Sequence, residues 1–258
     1  MIDTLLTMCR GDLLAGLARA PESAAVTRYF ERGKMLRARL VFLSAAAVGG
    51  EPSDAMAGAV AIELLHGASL VHDDIIDGSP ERRGLPALHH ELGVGRAIAI
   101  GDYLILHALS ELDRCHEGVD DRRARAMEVL VHWGKECCRG EISGLGTTAS
   151  AAYEHVARRK TGSLFAAAAT LGAILAGASR DQTNVLAAFG LSVGVAYQMS
   201  DDLADEPGVG VASDRGSCHD ALLSHLRDAQ NQLVKLPPSP HAEELANLIS
   251  QFVPALAR

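Results

Sequence analysis

Two stretches decide how this chain folds: LLHGASLVHDDIID at residues 64–77 and VGVAYQMSDDLAD at residues 193–205. Each is an apolar run that ends in Asp-Asp-x-x-Asp. Residues four apart stack on one face of a helix, so Asp73 lies over Asp77 with Asp74 alongside, and Asp201 lies over Asp205 with Asp202 alongside. The C-terminal end of a helix carries partial negative charge, and each exposed aspartate there is disfavoured by roughly 0.3–1 kcal/mol. One such cluster reads equally well as an acidic helix end open to solvent. Two in one chain call for a compensating charge. Oxygen ligands without a nearby Cys or paired His suit Mg²⁺, which takes one or two carboxylates and fills its shell with water and phosphate oxygens. Two facing clusters would therefore clamp a diphosphate through shared metals.

Outward from these stretches the periodicity stays helical. It predicts helices at about 2–19, 35–49, 53–76, 94–114, 119–140, 150–178, 181–205, 217–236 and 240–257. Turn-forming clusters separate them: GGEPSD (49–54), DGSPERRGLP (77–86), EPGVGVASDRG (206–216) and PPSP (237–240). Aromatic residues make up 4% of the chain while 48% is hydrophobic, a bias toward small and straight side chains that suits packed helices rather than a sheet. The absence of an internal repeat or linker leads to one all-α domain over 1–258, a single bundle.

The formal charge of −8 argues against nucleic acid as a partner but leaves anionic small ligands open, because local charge decides those. Five cysteines with no regular spacing fit reduced thiols in a cytoplasmic protein, and the adjacent Cys137 and Cys138 are poorly placed to share a zinc ion. The apolar run Leu164–Ala178 is too short to span a bilayer, so no transmembrane segment is expected. The opening MIDTLLTMCRGDLL lacks a basic stretch before an apolar one, so no signal peptide is expected either.

Cations stand where a diphosphate would need them. Gly33-Lys34-Met35-Leu36-Arg37 opens a helix and adds two side chains to its positive end. Arg82-Arg83-Gly84 follows the first aspartate cluster with two guanidinium forks suited to phosphate oxygens. Lys160-Thr161 lies in an apolar helix, where a lysine without an anion would be costly. Each of these alone reads as surface charge; beside the aspartates they read as one site. His66, on an apolar helix two turns before Asp73, is either a satisfied core residue or a donor to phosphate. His72 abuts the acids and could simply partner one of them.

These residues together resemble the trans-isoprenyl diphosphate synthases of the polyprenyl synthetase family. The resemblance rests on Gly33-Lys34-x-x-Arg37, on the run from Glu63 through the first cluster to His90, on Gly101-Asp102-Tyr103-Leu104, on Lys160-Thr161 and on Tyr197-Gln198-Met199-Ser200-Asp201-Asp202-Leu203-Ala204-Asp205. It covers roughly residues 30–205, in order. It implies a helical bundle around a central active-site cavity, a homodimer, and joining of an allylic diphosphate to isopentenyl diphosphate. By that resemblance about three Mg²⁺ ions would be held by Asp73, Asp77, Asp201 and Asp205, with Asp74 and Asp202 assisting. Arg82, Lys160, Thr161 and Gln198 would meet the allylic diphosphate, and Lys34, Arg37, His66 and Arg83 the isopentenyl diphosphate.

Departures from the family pattern stand out. The family's Gly-Gln with a following aspartate is replaced by Gly140-Glu141-Ile142-Ser143-Gly144. The family's late lysine after the second cluster is missing, leaving Arg215 as the candidate substitute. A prenyltransferase with another acceptor, a terpene cyclase and a non-catalytic subunit of a heteromeric synthase stay open as alternatives. The small Ala68 and Ser69, five and four residues before Asp73, are expected to face the metal side and leave room for a product of about twenty carbons or more, by family analogy. A floor made by Leu104 or His107 is the alternative.

Overall fold

A helix that is apolar all round belongs inside a bundle. Residues Ser163–Leu175 form such a helix, with every residue of SLFAAAATLGAIL buried. A computed structural model describes residues 1–114, 121–145, 150–204 and 215–252, and in it that segment is α9 in a succession of helices. Before it come α1 (Ile2–Leu17), α2 (Ser23–Glu31), α3 (Leu36–Ala47), α4 (Met56–Ile76), α5 (Leu88–Leu92), α6 (Val94–Asp113), α7 (Arg122–Gly144) and α8 (Ser150–Ala157). After it come α10 (Arg180–Ala204), α11 (Arg215–Leu233) and α12 (Pro240–Phe252). α9 packs against α3, α4, α7 and α10, while α4 packs against α3 and α6, and α10 against α11. The fold is all-α, and the buried apolar residues from Ile2 to Ile249 join in one core.

Several boundaries differ from the sequence expectation. α2 was not foreseen, because its short pattern sits between the Pro21 break and Gly33. The helix expected over 150–178 is interrupted at Arg158–Gly162 by a π-helical turn, which divides α8 from α9. α3 starts at Leu36, so Lys34 precedes it; Met35 at φ 54° turns the chain sharply into the helix. The 77–86 turn cluster holds a hairpin, Glu81–Arg82 (β1) paired antiparallel with Leu85–Pro86 (β2). Its two loop residues, Arg83 and Gly84, sit at φ 55° and 72°, as a two-residue hairpin turn requires. Glycine adopts that backbone freely; for Arg83 it costs about 1–2 kcal/mol.

Pro52–Ile76, which contains α4, is long and apolar enough to cross a membrane by length and composition. In the fold 61% of its most apolar window is buried inside the protein, as in a core helix. Among the described residues Cys9, Cys137, Cys138 and Cys218 are free thiols.

Close helix approach explains the abundance of small residues. A Cβ on Gly172 of α9 would sit 2.1 Å from the Val41 carbonyl oxygen of α3, a backbone atom that cannot swing away. Gly172→Ala should therefore cost about 1–3 kcal/mol through overpacking, read as a lowered urea midpoint at constant slope. A wild-type midpoint would contradict this α3–α9 contact.

Candidate active site

α4 and α10 end beside one another at a cavity of about 670 Å³ that also takes in the segment before α3, the hairpin, α7 and the π turn. From α4, Glu63, His66, Ser69, Leu70 and Asp73 line it, with Asp77 at the helix end; α10 gives Tyr197, Gln198 and Asp201. Lys34, Arg37, Arg82, Arg83, Lys160 and Thr161 complete the polar wall. The structure thus brings together all the expected site residues except Asp74, Asp202, Ala68 and Asp205. Asp74, Asp202 and Ala68 do not line the cavity, Glu141 was not foreseen, and Asp205 lies outside the described residues, as does the side chain of Arg215.

Each exception among the described residues has a physical reason. Asp74 is 1% exposed; its carboxylate accepts hydrogen bonds from the Tyr29 hydroxyl at 2.9 Å and from Arg82 Nε at 2.8 Å. Asp202 accepts one from Gln198 Nε2 at 2.8 Å and another from the Tyr153 hydroxyl. Consecutive helical residues point about 100° apart, so neighbours of Asp73 and Asp201 cannot share their direction. The same arithmetic corrects the expectation for Ala68: five residues before Asp73 is about 140° around the helix, which buries Ala68 in the core at 1% exposure. Ser69, four residues before, does line the cavity, and its hydroxyl bonds back to the His66 carbonyl at 2.8 Å. The alternatives Leu104 and His107 do not line this cavity either.

Glu141, next to Gly140, is a second anion beside Lys160. Gly140 lets the π turn close on α7, since a Cβ there would meet Lys160 N at 2.3 Å. Next to it, Glu141 holds the Lys160 amine at 2.6 Å, and that amine is 3.8 Å from Asp73. Burial works against the charged amine, but the hydrogen bond to Glu141 and the charge of Asp73 outweigh it and raise its pKa. The signal was in the sequence as a departure: glutamate where the pattern has glutamine. Thr161 donates to Gln198 Oε1 at 2.6 Å, tying the π turn to α10.

The same cavity also carries positive charge. Arg37 is 8% exposed, its guanidinium stacked 4.8 Å from the Phe165 ring centroid. Burial pulls its pKa down, opposed by Glu63. Glu63, another residue the sequence reading did not assign to the site, accepts the Ala38 backbone N–H at 2.9 Å and so fixes the start of α3. Burial, followed by Arg37, Arg83 and Arg82, drives the His66 imidazole well below its ordinary pKa, which makes it a neutral donor or acceptor. Arg37 Nε and His66 Nδ1 are buried without a hydrogen-bond partner. Such orphaned atoms cost free energy.

Among the aspartates, burial raises the Asp73 carboxyl, Lys160 opposes that rise, and Glu141 and Asp77 add to it, leaving the group at about 7. Among the described residues no three metal-ligating side chains converge closely enough to cage an ion. The donor set fits Mg²⁺ all the same, because that ion takes few carboxylates and shares phosphate oxygens.

The sequence profile described as polyprenyl synthetase matches residues 22–224. The chain belongs to that family. A geranylgeranyl diphosphate synthase of Methanosarcina mazei is 35% identical over 75% of this chain and 62% of its own length. The chain thus spans less than two thirds of that relative. Among solved structures, a geranylgeranyl pyrophosphate synthetase of Pyrococcus horikoshii superimposes with a TM-score of 0.85 and 27% identity, over 98% of this chain and 96% of that one. A polyprenyl synthase of Caulobacter crescentus, complexed with calcium and isoprenyl diphosphate, shares the fold with a TM-score of 0.82 and 22% identity, over 98% of this chain and 97% of that one.

The Asp73 environment has a consequence for stability without metal. Its folded pKa lies above the unfolded one, so this group's contribution is fully present below about pH 4 and is lost as pH rises through about 7. Asp73→Asn, neutral at every pH, should therefore stabilise metal-free protein by roughly 2 kcal/mol at pH 8 and by much less at pH 5. Urea unfolding in chelator at both pH values measures this, and an equal effect at the two would contradict the buried, crowded carboxylate.

Proposed function

We propose that this chain is a Mg²⁺-dependent trans-prenyltransferase that joins an allylic diphosphate to isopentenyl diphosphate. One observation carries the reading: four carboxylates, those of Glu63, Asp73, Asp77 and Asp201, and a set of guanidinium, ammonium and imidazole groups line a single cavity, an arrangement suited to a metal-bridged diphosphate pair. Asp73, Asp77 and Asp201 would hold the ions, with Asp205 beyond the described residues as a further ligand. Mg²⁺ would neutralise the departing pyrophosphate. The calcium and isoprenyl diphosphate held by the Caulobacter crescentus protein are consistent with that assignment.

In this reading the side chains divide the work. Lys160, drawn forward between Glu141 and Asp73, would meet the allylic diphosphate together with Arg82, Thr161 and Gln198. Lys34, Arg37, His66 and Arg83 would hold isopentenyl diphosphate, which would supply the partner that Arg37 Nε and His66 Nδ1 lack. These donors stand in place before reaction, so they would favour leaving-group charge without reorganising. Bond formation would leave a carbocation on the isopentenyl unit, and the released pyrophosphate would take a proton from the carbon next to it, forming the new double bond. We further infer a single domain that works as a homodimer in the cytoplasm, with small diphosphates rather than nucleic acid as partners. Ser69, the small side chain that lines the cavity one turn before Asp73, leaves room for a chain of about twenty carbons or more.

Incubation with Mg²⁺, farnesyl diphosphate and isopentenyl diphosphate should yield a longer prenyl diphosphate on chromatography. Asp73→Ala and Asp201→Ala should each cut turnover at least about a hundredfold with unchanged circular dichroism, since each removes a charged anchor of the leaving group. Formation of product at near-normal rates by either variant would overturn the shared-metal site.

A second experiment separates the two substrates. His66→Ala should raise the KM for isopentenyl diphosphate about tenfold while leaving that for the allylic substrate within about twofold, as expected for a lost hydrogen bond to a charged group. Equal effects on both substrates would point to a different acceptor.

A further inference from the structure

Asp74 and Asp202 occupy the same place in their two clusters, the second aspartate of Asp-Asp-x-x-Asp, and neither lines the cavity. Their surroundings are alike, although they lie on different helices. Asp74 receives the hydroxyl of Tyr29, from α2, on one oxygen and the guanidinium of Arg82 on the other. Asp202 receives the hydroxyl of Tyr153, from α8, on one oxygen and the amide of Gln198 on the other. In both cases the second donor belongs to a side chain that does line the cavity. Neither tyrosine lines it. Gln198 carries the chain of contacts one step further, because its Oε1 accepts the Thr161 hydroxyl at 2.6 Å.

The geometry sets these tyrosines apart from Tyr197. That residue lines the cavity itself and bonds to Asp201, which is exposed there. Tyr29 and Tyr153 stand behind the walls. A carboxylate with two acceptor oxygens and donors on both sides is fixed in orientation, and it fixes its partners in turn. Arg82 lies on a hairpin with two-residue strands and Gln198 on the last turns of α10, both places where a long side chain would otherwise sample several rotamers. Tying each to a held carboxylate removes that freedom before substrate arrives, which is how positioning raises affinity without a new contact.

We propose that Tyr29 and Tyr153 are positioning residues, each locking the second aspartate of one cluster so that it aims Arg82, or Gln198 with Thr161, at the bound allylic diphosphate. This rests on the prenyltransferase reading above. The two tyrosines act through different walls on the same substrate, so their effects are independent of one another. Each effect disappears once the aimed side chain is gone.

Tyr29→Phe and Tyr153→Phe keep the ring and remove only the hydroxyl. Each should raise the KM for the allylic diphosphate about three- to tenfold, the range for one lost hydrogen bond, and leave the KM for isopentenyl diphosphate within about twofold. The effects should multiply in the double variant, whereas Tyr29→Phe should add less than about twofold on an Arg82→Gln background, and Tyr153→Phe likewise on Gln198→Leu. Thermal melts of every variant accompany the kinetics. A protein that is merely loosened would shift both substrates and would keep its effect on the second background. That result, or wild-type kinetics in both single variants, overturns the proposal. Should either phenylalanine variant not fold, the other still decides it through its own cycle. Loss of the prenyltransferase reading is recognised separately, as failure of the wild-type protein to make product.

Discussion

Carboxylates crowded into one cavity organise this protein. Asp73, Asp77 and Asp201 come to one cavity at the C-terminal ends of two helices, where backbone dipoles already oppose them. The chain leaves this repulsion in place and surrounds it. Lys160 reaches in from a π turn, Glu141 holds it there, and the arginines of the hairpin and α3 line the same void. A π turn within a helix is a frequent mark of a functional site, because it shifts a side chain by one position at some cost in regularity. The strained backbone at Met35 and Arg83 belongs with it, as both residues flank cations that line the cavity.

The scaffold answers to the same demand. Functional groups on stiff helices keep their spacing better than groups on loops. α9, buried on every face, lets α3, α4, α7 and α10 gather around one axis, and glycines at their contacts let the backbones meet. The small-residue composition is thus a consequence of how many helices must converge. It leaves little room for aromatic rings, and two of the few tyrosines stand behind the aspartate clusters.

Helix class and the identity of the site were legible in the sequence because both are carried by local spacing. Asp73 to Asp77 is one turn, and a turn is the same length in any helix. Direction around the helix was harder. Ala68 and Ser69 look alike as text, yet one is core and the other lines the cavity. Asp74 and Asp202 resemble their neighbours as acids, and only tertiary partners reveal that their oxygens are taken. Glu141 and Glu63 were missed as site residues for a related reason: each works through a contact distant in sequence, with Lys160 and with the start of α3. The π turn was hidden because nothing in Arg158–Gly162 breaks a helix locally; the closeness of Gly140 accompanies it there.

If the aspartates wait for charge that arrives with the ligand, metal and diphosphate should bind as one unit. Calorimetric titration of inorganic pyrophosphate into the protein, with Mg²⁺ and then with chelator, tests this directly. The account expects tight binding with Mg²⁺, at least about a hundredfold weaker binding in chelator, and little heat from Mg²⁺ alone, since few protein carboxylates reach any one ion. Tight binding of pyrophosphate in chelator, or of Mg²⁺ without pyrophosphate, would contradict it.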